Sequence, residues 1–340
     1  RKRKIRFIAT FHHQWLWGWF MSSDPDADVY IPENEVFYGK ALPLETNRYI
    51  PWRLPDDEFN DKWMRKVMEV IDAYDPDLIY FDSRANIIEE HFKHELINYY
   101  YGTGNKIITY KQDDFPEGVG IRDIECGRFA DAMEFPWQTD DRLEAKQTWC
   151  YVESPRYKPA AAIIHQLCDI VSKNGNLLLN VGPKADGSFA QEAIATLYEI
   201  GDWLAKYGEA VYETRPFEIY GEGVNEVATT DFGVSHIEEQ THKGIIDEDK
   251  IKGLSVDDIR FTTRGNVLYA ILMGCPEKSE IRIKSLKEGI GLGSKKIERI
   301  MVLGEDDDLE WMQNDTGLYV RLKGKMPSSP ANVIKIIYRK

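Results

Sequence analysis

The chain has 340 residues and a formal net charge of −14, and 43% of its residues are hydrophobic. This length suggests two domains as a soft prior, and the acidic balance without a long basic run argues against nucleic acid and anionic membranes as partners. No stretch approaches the ~20 apolar residues of a membrane span. A neutral ligand fits better, and the 9 Trp and 18 Tyr residues suit the stacking surfaces that sugars use, although most of these rings belong in the core.

Residues 1–216 alternate between strand-like and helix-like segments. Apolar runs or helical stripes predict, in chain order, strand 5–11, helix 59–74, strand 78–81, helix 86–101, strand 107–110, strand 121–127, helix 159–174, strand 177–181 and helix 192–207. Such alternation predicts a parallel α/β sheet, open or closed, as the first domain.

Residues 217–340 follow a different pattern. A hairpin is predicted around Gly265 and Asn266, and further short strands are predicted at 281–283, 300–303, 318–322 and 333–338. Short strands separated by turn clusters are typical of a β-sandwich, so the second domain is predicted to be all-β.

No metal or cofactor is expected. The four cysteines lie far apart without a CxxC spacing and are interpreted as buried thiols. His91 and His94 are three residues apart, but the flanking charges indicate a solvated helix face rather than a zinc site. The acidic run 305–308 lacks EF-hand spacing and is typical of a solvated turn.

Asp82 closes the apolar strand 78–81. A carboxylate at the C-terminal end of a buried parallel strand is where α/β barrels place catalytic groups, so Asp82 is a candidate nucleophile. The alternative is an N-cap for the helix that follows, because Asp caps helices well.

Glycoside hydrolysis generally uses a second carboxylate. The candidates lie between two predicted strands and are Glu125, Glu134, Asp140, Asp141 and Glu144. Glu125 is preferred because a strand-like segment ends on it, and its neighbours Ile124 and Cys126 would raise its pKa by reducing its hydration. An exposed loop glutamate is the alternative.

Aromatic and imidazole rings accompany these carboxylates. Trp137 lies in the predicted loop after Glu125 and could stack on a sugar or pack in the core. His12 and His13 end the first strand, where adjacent residues point to opposite faces, so at most one of them can face the interior of a barrel.

Three segments resemble glycoside hydrolase family 29, the α-L-fucosidases. They are 174–187 (NGNLLLNVGPKADG), 200–212 (IGDWLAKYGEAVY) and 76–82 (PDLIYFD). The resemblance covers roughly residues 5–217, and the β-rich remainder matches the family's C-terminal domain in kind. It implies an exo-acting, retaining enzyme that removes terminal α-L-fucose from a fucosylated oligosaccharide or glycoconjugate through a covalent intermediate, without a cofactor.

The resemblance also implies roles for individual residues. Asp82 matches the nucleophile, and Glu125 lies where the acid/base is expected, with Glu134 as the alternative. Lys111 ends its strand where relatives place a basic residue that touches the sugar. The candidate sugar-binding residues are therefore His12, His13, Trp19, Lys111 and Trp137. Where many relatives have Trp-Glu, this chain has Trp137 followed by Gln138.

The chain departs from the family at its beginning. Relatives carry a His-His pair followed by Asp-Gly-Phe on an earlier strand, whereas His12 and His13 are followed by Gln14 and Trp15. We therefore expect a (β/α)8-like TIM-type barrel that is incomplete at its N-terminus (1–216), followed by a β-sandwich (217–340). Because the chain starts at Arg1 without Met or a leader, localisation cannot be read.

Two other functions stay open. One is a non-catalytic carbohydrate-binding remnant, and the other is a retaining glycosidase for a related sugar such as α-galactose. Oligomeric state cannot be read either, and a homo-oligomer is one alternative.

Overall fold

The computed structural model of the protein describes residues 5–42, 54–111, 113–145, 148–223, 254–289 and 296–339. The chain divides into two compact units, residues 1–123 and 124–340. The predicted domain boundary after residue 216 falls inside the second unit and stays a prediction.

The first unit is a parallel sheet with helices. Its elements are β1 (Ile8–Phe11), α1 (Glu35–Tyr38), α2 (Asp57–Tyr74), β2 (Leu78–Phe81), α3 (Glu90–Gly102), β3 (Ile107–Lys111) and β4 (Ile121–Asp123), with short 3-10 turns between them. The strands pair in the order β1-β2-β3-β4, all parallel. Because parallel neighbours run the same way, the carboxyl ends of all four strands lie at one edge.

Helix α2 forms where the helical stripe predicts it. The Asp56 side chain caps its N-terminus by accepting a hydrogen bond from the Phe59 amide. The buried stripe packs in one cluster with Ile79 and Phe81 of β2. The helix ends where Asp75 adopts a left-handed conformation (φ 46°) just before Pro76.

Two strands of this unit differ from the prediction. Strand β1 was expected to be a core strand, but Ile8 is 40% exposed because β1 lies at the edge of the sheet, where the described residues pair it only with β2. Strand β4 ends at Asp123 rather than at Glu125, because Glu125 and Cys126 form a turn in which Cys126 has φ 49°.

The second unit begins with a parallel pair of strands and two helices. These are β5 (Trp137–Arg142), α4 (Ala160–Ser172), β6 (Gly175–Asn180) and α5 (Gln191–Tyr207). The predicted loop at 137–140 is wrong, because this polar segment is a strand whose six residues are all buried. The first unit thus contributes four parallel strands and the second unit a parallel pair.

Two antiparallel sheets complete the second unit. Their strands are β7 (Arg215–Glu222), β8 (Ile259–Arg264), β9 (Val267–Leu272), β10 (Glu280–Ile283), β11 (Ile297–Val302), β12 (Glu310–Asn314), β13 (Gly317–Arg321) and β14 (Asn332–Tyr338). The orders are β11-β14-β9-β8-β7 and β10-β13-β12, and the predicted hairpin is β8-β9. One apolar cluster joins both sheets, so the predicted fold class, parallel α/β strands and helices followed by a β-sandwich, is confirmed.

A buried charge cluster lies in the second unit. Asp169 of α4 is fully buried, and its two carboxylate oxygens face three cations. Arg260 Nε lies 2.7 Å from one oxygen, while Lys173 Nζ and Arg128 Nη1 lie 3.0 and 3.8 Å from the other. Burial raises the pKa of Asp169, but the three cations outweigh it and hold the pKa below its usual value.

Candidate active site

Four neighbouring strands of the first unit end in groups that can carry charge. His12 follows β1, Asp82 follows β2, Lys111 ends β3 and Asp123 ends β4. The register aligns Phe11 with Phe81 and Lys111 with Asp123. Parallel pairing therefore brings these groups together at the carboxyl edge, the edge that binds ligands in open and closed α/β sheets.

Strand alternation decides which side chains of β2 face the site. Ile79 and Phe81 point into the apolar cluster with the helices. Tyr80 and Asp82 point to the opposite face, because residues two apart share a face of a strand.

The Asp82 carboxylate has a different partner on each oxygen. His12 Nε2 lies 2.6 Å from Oδ2. The hydroxyl of Tyr80 lies 3.5 Å from Oδ1, and Lys111 Nζ lies 3.8 Å from the same oxygen. The Asp82 side chain is 28% exposed, so the carboxylate can be reached from solvent although it is mostly enclosed.

The turn after Asp82 is held by side chains of the segment after β1. The Trp15 indole N–H donates to the Asp82 carbonyl (2.9 Å), and the Gln14 amide donates to the Ser83 carbonyl (2.7 Å). Ser83 and Arg84 have φ of 64° and 69°, a conformation that costs about 1–3 kcal/mol per residue and occurs where a site over-determines the backbone. The alternative role of Asp82 as an N-cap is wrong, because α3 begins at Glu90 without a side-chain cap.

Electrostatics keep Asp82 ionised. Burial raises the pKa of Asp82, but the hydrogen bond from His12 and the charge of Lys111 outweigh it and hold the pKa below its usual value. The same hydrogen bond raises the pKa of His12 above its ordinary value, against the opposing effects of burial and of Lys111. An ionised carboxylate beside a solvent-reachable opening is what a nucleophile requires.

The two adjacent histidines should titrate in opposite directions. We expect His12 to titrate above pH ~6.5 because of Asp82, whereas burial lowers the pKa of His13 to about 4. In Asp82→Asn, the pKa of His12 should fall below its ordinary value, since only burial and Lys111 then act. NMR of the ring protons against pH measures both, and His13 is the internal control.

The two pKa shifts make the stability of the folded protein depend on pH. The stability that the raised pKa of His12 contributes is present below pH ~6.5 and is lost as the pH rises through the folded-state pKa. The contribution of Asp82 is present above pH ~3.9 and is lost as the pH falls through its lowered pKa. A pKa of His12 that does not change in Asp82→Asn would contradict the pairing.

His13 and Trp19 lie outside the immediate contacts of Asp82. The His13 ring stacks on Phe59 of α2, with centroids 5.5 Å apart, and its Nε2 has no hydrogen-bond partner in the described part of the chain. In the described contacts, His12 of the pair reaches Asp82. The pair does not end the strand as predicted, because β1 ends at Phe11 and His13 begins a 3-10 helix. Trp19 is 58% exposed and its ring meets Trp15 edge-on at 5.5 Å, so it offers an open aromatic face.

The remaining predicted site residues belong to the second unit. Glu125 and Glu134 are exposed, whereas Ile124 and Cys126 beside Glu125 are buried, so these neighbours do not shield the Glu125 carboxylate as expected. Trp137 is 2% exposed and its indole N–H donates to the Lys173 carbonyl. Because this ring is enclosed in the core, we leave Trp137 out of the site proposed below.

Sequence reasoning missed Tyr80 and Asp123. Tyr80 lies two residues before Asp82, so alternation alone could have placed it on the same face. Asp123 lies two residues before Glu125 and is fully buried. The sequence signal for Asp123 was its position as a charged residue inside a strand-like segment. A charged side chain that is buried requires a partner.

Among the described residues, no group of three His, Cys, Asp or Glu residues is arranged to hold a metal ion. None of the described helices combines the length and apolar character needed to cross a bilayer. The cysteines are all free, and Cys150 is exposed, contrary to the prediction of buried thiols.

Two family sequence models match the chain. The model described as α-L-fucosidase matches residues 1–209, and that of the α-L-fucosidase C-terminal domain matches residues 253–337. Tissue α-L-fucosidase of Bos taurus is 25% identical over 276 residues, which are 76% of this chain and 49% of that protein. The tissue α-L-fucosidase of Homo sapiens is 22% identical over 290 residues, which are 79% of this chain and 52% of that protein. The chain thus spans about half the length of these curated relatives.

Solved fucosidase structures share the fold. The α-fucosidase of Thermotoga maritima superposes with a TM-score of 0.60 at 23% identity and covers 83% of this chain and 57% of its own. The α-L-fucosidase isoenzyme 1 from Paenibacillus thiaminolyticus superposes with a TM-score of 0.60 at 20% identity. The match covers 86% of this chain and 65% of that one. At such identities the likeness concerns the fold.

Proposed function

Because the chain belongs to the α-L-fucosidase family, we propose that it carries the catalytic machinery of a retaining exo-glycosidase acting on terminal α-L-fucose. The substrate is a fucosylated oligosaccharide or glycoconjugate, and no cofactor is required. The observation that supports this most strongly is the Asp82 carboxylate, held ionised at a strand end by His12 and Lys111.

The reaction has two steps. In the first, an Asp82 oxygen attacks the anomeric carbon while the bond to the aglycone oxygen breaks, and Glu125 donates its proton to that oxygen. In the second, Glu125 takes a proton from water, which attacks the anomeric carbon and releases Asp82. Two displacements retain the configuration, so NMR of the first-formed sugar should show the α-anomer.

Lys111 and the aromatic residues have supporting roles in this proposal. Lys111 stabilises the charge of the Asp82 carboxylate from the buried side, and the family resemblance gives it a contact with the sugar. Trp19 offers its open face to the substrate, and His12 can donate to a hydroxyl because its side chain is 59% exposed. Hydrogen bonds to sugar hydroxyls that strengthen in the transition state would add to catalysis.

Replacing Glu125 tests the acid/base assignment. We expect Glu125→Ala to slow hydrolysis of a natural fucoside about 10²- to 10⁴-fold, and a nitrophenyl fucoside much less, because an activated aryl group leaves without protonation. The measurement is the ratio of the two losses in kcat/KM. In this variant, azide should also speed the release of the intermediate.

Glu134→Ala is the matched control, since Glu134 is an exposed glutamate of the same segment. If Glu125→Ala slows both substrates equally and azide has no effect, Glu134 becomes the acid/base candidate, followed by Asp140. A complex with a fucose-like inhibitor should place the two catalytic carboxyl groups about 5–5.5 Å apart.

The experiment that tests the function as a whole compares nitrophenyl α-L-fucoside with nitrophenyl α-galactoside on the full-length protein. Preference for the fucoside supports the proposal. Preference for the galactoside would favour a related retaining glycosidase. Binding of fucose without hydrolysis of either substrate would favour a carbohydrate-binding protein.

A further inference from the structure

Asp123 is a fully buried carboxylate to which the proposed reaction gives no role. It ends β4, next to Lys111 in the register of the sheet. Its Oδ1 lies 3.3 Å from Lys111 Nζ and 3.3 Å from the Tyr80 hydroxyl. A carboxylate is rarely buried unless it is paired, and Lys111 and Tyr80 are two such partners of Asp123.

The same two donors reach the nucleophile. Tyr80 and Lys111 lie 3.5 and 3.8 Å from Oδ1 of Asp82, slightly farther than from Asp123. Asp82 and Asp123 are therefore two carboxylates bridged by one ammonium group and one phenol. Both donors lie nearer to Asp123 than to Asp82.

The two oxygens of Asp82 are thus unequal. Oδ1 faces the buried side, where Lys111 is 2% exposed and Asp123 is 0% exposed. Oδ2 faces His12, whose side chain is largely exposed. The more exposed neighbour of Asp82 is therefore on the Oδ2 side, where His12 Nε2 lies 2.6 Å away.

We infer that Asp123 is a positioning residue for the nucleophile: through Lys111 and Tyr80 it anchors one oxygen of Asp82 and leaves the oxygen facing His12 to attack the sugar. This inference rests on the proposed function of Asp82. In the attack, the oxygen facing His12 forms the bond to the anomeric carbon, the aglycone oxygen leaves with the proton of the acid, and the anchored oxygen keeps its contacts.

A double-mutant experiment separates positioning from a structural role. With an aryl fucoside, Asp123→Asn should lower kcat/KM about 10- to 100-fold, the loss typical of a small misplacement. In the Asp82→Gly background with azide as the nucleophile, the same substitution should change the rate less than about threefold, because there is no carboxylate left to position. If Asp123→Asn does not fold, Tyr80→Phe is the substitute variant, because it removes only a hydroxyl group. It should show the same loss with the carboxylate present and the same small change with azide.

The control is Asp113→Asn. Asp113 is exposed and pairs with Arg122 of β4 at 3.1 Å, so the control makes the same substitution in an aspartate that contacts the same strand and is not among the described partners of Asp82. Its rates should match those of the parent protein in both backgrounds.

The pH profile gives a second readout. Asp123→Asn removes a negative charge near Asp82 and frees Lys111 to pair with it, so the acid limb of kcat/KM should move to lower pH. In a trapped fluorosugar intermediate, the ester should be formed by the oxygen facing His12, and Tyr80 and Lys111 should still contact the other oxygen.

Several outcomes would overturn the inference. They are equal losses in both backgrounds, no loss in either, or an ester through the oxygen that faces Lys111. Failure of the proposed function looks different, because Asp82→Gly would then give no fucosyl azide at all. In that case, carboxyl NMR still tests whether Asp123 and Asp82 are coupled. A pKa of Asp82 that does not change in Asp123→Asn would show that they are not.

Discussion

Replacing Asp82 with glycine should lower kcat/KM about 10⁴-fold or more, as the loss of a nucleophile does in other enzymes. The loss should be similar for natural and nitrophenyl fucosides, because the nucleophile serves every substrate. Azide should restore part of the nitrophenyl rate by entering the space that the carboxylate leaves, and the product should be a fucosyl azide. Product analysis by NMR and the azide dependence of the rate provide the measurement.

The matched control for this variant is Asp75→Gly. Asp75 lies near the opposite end of β2 and has φ 46°, a conformation that glycine adopts without strain, so activity should be retained. An Asp82→Gly protein that keeps more than about a tenth of the parent activity would show that another carboxylate is the nucleophile.

Removing the charge of Asp169 should have the largest effect on stability. Asp169→Asn leaves Arg128, Lys173 and Arg260 facing one another in a buried site, and an uncompensated buried charge costs about 3–5 kcal/mol. The free energy of unfolding should fall by this amount, and the midpoint of thermal unfolding by roughly 6–20 °C. Denaturant titration and calorimetry give both values.

Asp202→Asn on the exposed face of α5 is the control, and its midpoint of thermal unfolding should not change.

The stability that Asp169 contributes also depends on pH. Because the three cations lower the pKa of Asp169, its contribution to stability is present above pH ~3.9 and is lost as the pH falls through the folded-state pKa. An Asp169→Asn protein with the same acid sensitivity as the parent would contradict this account.

Much of the fold could be predicted because its elements have clear periodicity. The stripe of α2, the apolar strand β2 and the turn between β8 and β9 are local signals, and the structure has all three close to their predicted positions. Strand β5 was missed because its sequence, WQTDDR, is almost entirely polar. Local propensity does not reveal that tertiary contacts bury such a segment.

The candidate site was predictable only in part. Asp82 was found because it ends an apolar strand, which is a property of one segment. The contacts of Asp123 with Lys111 and Tyr80 depend on the register between strands that helices and loops separate, and no local pattern encodes that register. For Trp137 the sequence left two alternatives, stacking on a sugar or packing in the core, and its ring packs in a core cluster.

The segment that most resembles the family serves architecture. The Asn174 side chain donates to the Met133 and Glu134 carbonyls, Asn176 to the Trp137 carbonyl and Asn180 to that of Trp149. These amides fix the backbone of neighbouring segments. A recognisable motif therefore identified the fold, while the chemistry had to be found on other strands.

The surroundings of Asp82 are assembled from distant parts of the chain. His12 and Asp82 are 70 residues apart, and Tyr80 and Asp123 are 43 apart. Such contacts form only after large loops have closed, which is slow and entropically demanding. In an unfolded chain the Asp82 carboxylate is hydrated like that of any other aspartate. It acquires its partners only when β1 to β4 have paired. Activity towards a fucoside would therefore report on the late steps of folding in this unit, and a newly synthesised chain would stay inert until those strands had come together.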